Sequence, residues 1–106
     1  MTDKEYHDLS QETLKRIARA FDDEDPDEVE AETIPGVVTL IFGDGKRFIL
    51  NRQPAVQQLW LAAGASAWHF KYDLERISWQ GDKGEGDLYD VLTRVVTDKL
   101  GRPITL

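Results

Sequence analysis

Two runs of alternating apolar residues, 37–42 and 47–52, flank Gly43-Asp44-Gly45-Lys46. Asp and Gly tolerate the positive φ of a two-residue type I′ turn, so this pattern predicts a β-hairpin. A hairpin commits the chain to antiparallel pairing, and the neighbouring segments follow suit. Val29, Ala31 and Thr33 alternate with Glu28, Glu30 and Glu32, predicting a half-buried acidic strand that ends at the Pro35-Gly36 turn. Residues 57–62, 67–72 and 76–80 read as three further strands. In the second of these, Trp68, Phe70 and Tyr72 share one side, and His69 and Lys71 the other. In the third, Ile77 shares a face with Trp79.

Helical periodicity brackets the strands. Tyr6, Leu9, Leu14, Ile17 and Phe21 form one apolar stripe over residues 4–22, with Asp3 as the expected N-cap. Asp22-Asp23-Glu24-Asp25-Pro26-Asp27 ends that helix, because Pro26 disfavours helical geometry at Asp25 and carboxylates oppose the helix dipole there. A second helix is expected over 87–100, with Leu88, Leu92, Val95 and Val96 as its apolar side and Val91 and Leu100 flanking. Gly86 or Asp87 would cap its start, Gly101 marks its exit, and Pro103 prevents continuation. The fold class is therefore α+β. Two helices pack on one face of a five- to six-stranded antiparallel sheet, a two-layer sandwich in one domain spanning 1–106. The other sheet face is left free to bind.

Composition narrows the function classes. With 41% hydrophobic residues the chain is too apolar for disorder, and no apolar run approaches the roughly 20 residues of a membrane helix. No secretory signal is evident, and there is no cysteine for disulfides, thiolate metal sites or nucleophilic catalysis. A cytoplasmic setting is the default reading. The formal charge of −7 is unevenly placed: residues 1–32 carry twelve acidic and four basic side chains, and the rest is nearly balanced. Such a surface repels phosphate backbones, which argues against nucleic acid. It attracts cations or a basic protein; the alternative is a solvated face that only maintains solubility. No phosphate loop, HExxH zinc pair or nucleophile elbow is present, so the chain does not read as an enzyme.

Two constellations remain. The first is the acidic ridge of Asp3, Glu5, Asp8, Glu12, Asp22, Asp23, Asp25, Asp27, Glu28, Glu30 and Glu32. Hard carboxylate oxygens suit hard cations such as iron, manganese, calcium and magnesium. The spacing is not that of a compact binding loop, so binding is expected to be weak and spread over several places. The candidate metal set is Asp3, His7, Asp22, Asp23, Asp25, Asp27, Glu28 and Glu30. His7 would supply one nitrogen; alternatively it is an exposed helical residue without a role. The second constellation is the run 51–62. If Leu59 and Leu61 face the helices, alternation puts Gln58 and Trp60 on the open face, where Asn51 and Gln53 join them. An exposed tryptophan ringed by amides has the character of an interface hot spot. The opposite register would bury Trp60.

At this point the chain resembles the frataxin family in its bacterial form. The resemblance is carried by Asp22-Asp23 in the acidic segment, by Val37-Val38-Thr39-Leu40 leading to Gly43-Asp44-Gly45, and by Asn51-Arg52-Gln53-Pro54 followed by Gln58-Leu59-Trp60-Leu61-Ala62. His69-Phe70 and the closing helix agree with it. It implies a role in iron–sulfur cluster assembly, with ferrous or ferric iron held on the ridge and other divalent cations able to substitute. The implied partners are the cysteine desulfurase and the iron–sulfur scaffold protein. By position, Asp22 and Asp23 match ridge carboxylates that also meet the partner. Asn51, Gln53 and Trp60 match the open-sheet contact surface, which Gln58 and His69 extend. Two stretches depart from the family pattern: Arg16-Ile17-Ala18-Arg19-Ala20 stands where glutamates are usual, and Gly64-Ala65-Ser66-Ala67-Trp68 replaces a Gly-Gly pair. The first departure moves the expected iron sites toward the helix end and first strand. The rival readings are a ferroxidase or iron-storage protein, which would normally need Glu-x-x-His pairs that are absent here, and a metal-independent acidic binding module.

Overall fold

The computed structural model describes residues 1–106. Helix α1 (Asp3–Arg19) is followed by six strands: β1 (Val29–Ile34), β2 (Val37–Phe42), β3 (Arg47–Gln53), β4 (Gln58–Ala63), β5 (Ser66–Asp73) and β6 (Ser78–Gly81). Helix α2 (Leu88–Leu100) closes the fold. The sheet order is β1-β2-β3-β4-β5-β6, and every pair is antiparallel. Each strand therefore pairs only with its sequence neighbours.

Period-two alternation decides which sheet face is covered. Val38, Leu40, Phe48, Leu50, Leu59, Leu61, Phe70 and Trp79 are buried beneath the helices. From α1 come Tyr6, Leu14 and Ile17, and from α2 Leu88, Val91, Leu92 and Val96. Nineteen buried apolar residues form one continuous cluster, so the two helices share a single core. Burying a side chain such as Leu59 contributes on the order of 2 kcal/mol. Val91 is fully part of this core, whereas Val95 is only half-buried, a one-residue rotation of the expected α2 stripe.

Local chemistry differs from the sequence expectation at three places. Thr2, not Asp3, caps α1: its hydroxyl accepts from the Glu5 N–H at 3.0 Å, and Glu5 accepts from the Thr2 N–H at 2.9 Å. This reciprocal box satisfies two otherwise free N–H groups, which a cap at Asp3 would not do. The β2–β3 hairpin is not a type I′ turn, because only Gly45 has positive φ (84°). Gly45 N–H donates to Phe42 O and Phe42 N–H to Lys46 O, giving a three-residue loop with a left-handed glycine. Ile77, expected in β6 beside Trp79, lies outside the strand at φ 52° with its side chain exposed. The Asp73 carboxylate accepts from the Glu75 and Arg76 N–H groups, folding that segment into the β5–β6 turn.

Candidate functional site

The acidic segment between α1 and β1 lies exposed at one end of the molecule, but its carboxylates are not equivalent. Arg102, just beyond α2, reaches back to Glu24 at 2.9 Å and Glu28 at 2.6 Å. Hydrogen bonds to these two carboxylates raise the guanidinium's pKa above its ordinary value. Asp25 is used locally, accepting from the Asp27 N–H at 2.9 Å. Asp22, Asp23, Asp27, Glu30 and Glu32 have no side-chain hydrogen bond or ion pair, so their charges are compensated only by solvent. Asp22, Glu24 and Glu30 line one shallow hollow of about 230 Å³, walled by Phe21 and Val29. No three carboxylates or imidazoles converge on a ready-made metal position.

Asp3 and His7 lie at the opposite end of α1, a helix about 25 Å long. Asp3 accepts from the Gln57 side-chain amide at 3.1 Å. His7 Nδ1 meets the Arg52 guanidinium at 2.9 Å. Because a guanidinium can only donate, that nitrogen's lone pair is already in use and a cation stands beside it. The structure thus separates the candidate metal residues into a group at 22–30 and a distant pair, Asp3 and His7. Further along α1, Asp8 pairs with Lys4 at 2.7 Å, which holds its carboxyl below the usual range.

On the open sheet face, Asn51 of β3 stands opposite Trp60 of β4, and Trp60 opposite His69 of β5. The indole and imidazole stack, with centroids 4.1 Å apart and planes 11° from parallel. Trp60 Nε1–H donates to Gln58 Oε1 at 2.7 Å, which orients both side chains. Gln53 pairs across with Gln58, so all five open-face candidates sit on adjoining positions. Asp82 lies 3.8 Å from His69 Nδ1, close enough to pair once the imidazole is protonated. Leu59 and Leu61 are buried, as alternation required for Trp60 to face outward.

Sequence reasoning missed three contributors. Ile49, 39% exposed, enlarges the open face; the alternation of its own strand points to it. Arg102 and Lys99, which pairs with Asp44, remove acidic charge from distant positions, and no local pattern signals such contacts.

Known proteins agree with this architecture. A family model described as the frataxin-like domain matches residues 1–102. The iron–sulfur cluster assembly protein CyaY of Pseudomonas fluorescens strain Pf0-1 is 39% identical over 95% of this chain and 91% of its own. The protein of the same name from Delftia acidovorans is 33% identical over 95% and 93%. Among solved structures, frataxin from Psychromonas ingrahamii superposes with a TM-score of 0.87 at 22% identity, over 99% of this chain and 97% of that one. Trimeric yeast frataxin complexed with ferrous iron gives a TM-score of 0.61 at 26% identity, over 94% and 86%.

Proposed function

Since the chain belongs to the frataxin-like family, we propose that it acts in iron–sulfur cluster assembly as an iron-binding regulatory adaptor. On this reading it holds ferrous or ferric iron weakly at the acidic end and docks on the cysteine desulfurase and the scaffold protein. The observation that carries the reading is the pair of uncompensated carboxylates in the hollow, Asp22 and Glu30, beside the Arg102-bound Glu24. Exposed, hard oxygen donors without a cage suit a cation that is picked up and released, with water completing its shell. The names of the relatives and the ferrous complex of yeast frataxin support the same assignment. The acidic end would steer encounter with a basic patch on the desulfurase, and the Trp60–His69 surface would set the lifetime of the assembled complex.

The test is an anaerobic ferrous titration followed by amide NMR, with and without purified desulfurase. Broadening should centre on residues 22–30, and should be largely lost when Asp22 and Asp23 become Asn and Glu30 becomes Gln. Unchanged broadening in that variant would sink the iron assignment. Normal pull-down of the desulfurase by a charge-reversed Asp22, Asp23 variant at low salt would sink the docking role of the ridge.

A further inference from the structure

Helix α1 is sorted by charge around its circumference. Positions 7, 11, 15 and 19, at four-residue steps, trace one stripe carrying His7, Gln11, Lys15 and Arg19, with no carboxylate. The stripe faces the β1–β2 turn across a cleft of about 520 Å³, within the range of small-molecule sites. No Asp or Glu lines this cleft, although the chain's net charge is −7. Exposed Ile34 and half-buried Ala18 and Val37 give it an apolar surface above the buried Leu14 and Val38, and Arg52 of β3 borders it.

The cations here lack strong partners. Arg52 is half-buried and touches no carboxylate; its one side-chain hydrogen bond goes to His7 Nδ1. With Nδ1 accepting, a neutral His7 carries its proton on Nε2 and adds another donor. The Lys15 side chain makes no hydrogen bond or ion pair. Arg19 meets only Glu12, at 3.3 Å, with both side chains exposed, where such pairs contribute little. The lining is therefore rich in donors, positively charged on two walls and apolar between them.

We propose that this cleft binds a small organic polycarboxylate. Arg52 takes one carboxylate through a two-pronged hydrogen bond, and Lys15 and Arg19 take a second. Cations supplied by both α1 and β3 select for more than one anionic head, and Ile34, Ala18 and Val37 favour a carbon body over an inorganic ion.

A titration of the metal-free, full-length chain with tricarballylate tests this, with inorganic phosphate and acetate run in parallel at constant ionic strength. Tricarballylate lacks the chelating hydroxyl of citrate, so the outcome is independent of any iron site. Saturable amide shifts are expected around His7, Lys15, Arg19, Gly36 and Arg52. Arg52→Gln should weaken binding about tenfold or more, the effect of losing a charge-assisted hydrogen bond. The double variant Lys15→Gln, Arg19→Gln lies on an exposed helix face and serves should Arg52→Gln fail to fold; it too should bind at least severalfold more weakly. Scattered or non-saturating shifts, unchanged affinity in the double variant, or equally tight saturation by phosphate or acetate would each overturn the proposal.

Discussion

Tyr6 ties the first helix to the sheet through one hydroxyl, which donates to the Gln58 carbonyl at 2.7 Å, while its ring packs edge-on against Trp79. Burial pushes this phenol's pKa up. In the unfolded chain it loses its proton at about pH 10. The folded state therefore holds the proton more tightly. The resulting stability is fully present below that value and is lost as pH rises through the folded pKa. Tyr6→Phe leaves the Gln58 carbonyl without this partner and should cost about 1–2 kcal/mol at neutral pH. Urea unfolding at neutral and alkaline pH should show the gap between wild type and variant narrowing above about pH 10. Trp60 behaves oppositely because it faces out. Trp60→Ala should keep the fold and lose the stack on His69, and on the proposed function should weaken the complex with desulfurase and scaffold by about 2 kcal/mol, as for a hot spot. Calorimetry of the assembly, with circular dichroism of the variant, checks both halves. The outward setting of Trp60 was legible because Leu59 and Leu61 bracket it and only one register buries both. The pairing of His7 with Arg52 was not, since 45 positions separate them and neither residue type requires the other.

At the scale of elements, strong periodicity was readable and chain reversals were less so. β2 was expected over its observed span because its alternation is unbroken between turn signals. The turns depend on side-chain-to-backbone hydrogen bonds with near-equal competitors. Thr2 outcompetes Asp3 as cap because Glu5 completes a box with it, and the Asp73 carboxylate draws Ile77 out of β6. Gly36 shows how a turn also shapes a side chain. It sits at φ 81°, and a Cβ there would lie 3.1 Å from Arg52 Nε. Gly36→Ala should cost about 1 kcal/mol or more and displace the guanidinium from His7; the His7 ring shifts in NMR report the displacement. The acidic connection between α1 and β1 is likewise governed from afar. Arg102→Gln releases Glu24 and Glu28, and should tighten divalent-cation binding there by about two- to fivefold. Isothermal titration with manganese, compared between the two proteins, measures it.

Over the whole molecule, the excess charge of the first 32 residues opposes compaction. Sodium chloride added at low ionic strength should raise Tm by about 4–8 °C for each kcal/mol of repulsion it screens. Calcium should do so at lower ionic strength by binding the folded ridge. A thermal melt indifferent to both would mean that the ion pairs to Arg102, Arg19 and Lys4 already offset the repulsion. The charge total also concealed the cationic stripe of α1, since summing by region averages over faces that only folding separates. The sheet order has a consequence for the chain's own manufacture. Because β1 through β6 pair strictly in sequence, each strand leaving the ribosome finds its neighbour already made and the sheet grows in step with translation. The helices are less well timed. The apolar face of α1, with Tyr6, Leu14 and Ile17, is synthesised before any strand exists to cover it, and the last layer of the core, from Leu88 to Val96, comes at the end. At roughly 5–20 residues per second the nascent sheet stays half-covered for seconds. That interval, rather than the finished protein, is when this chain is most exposed to capture by chaperones or proteases.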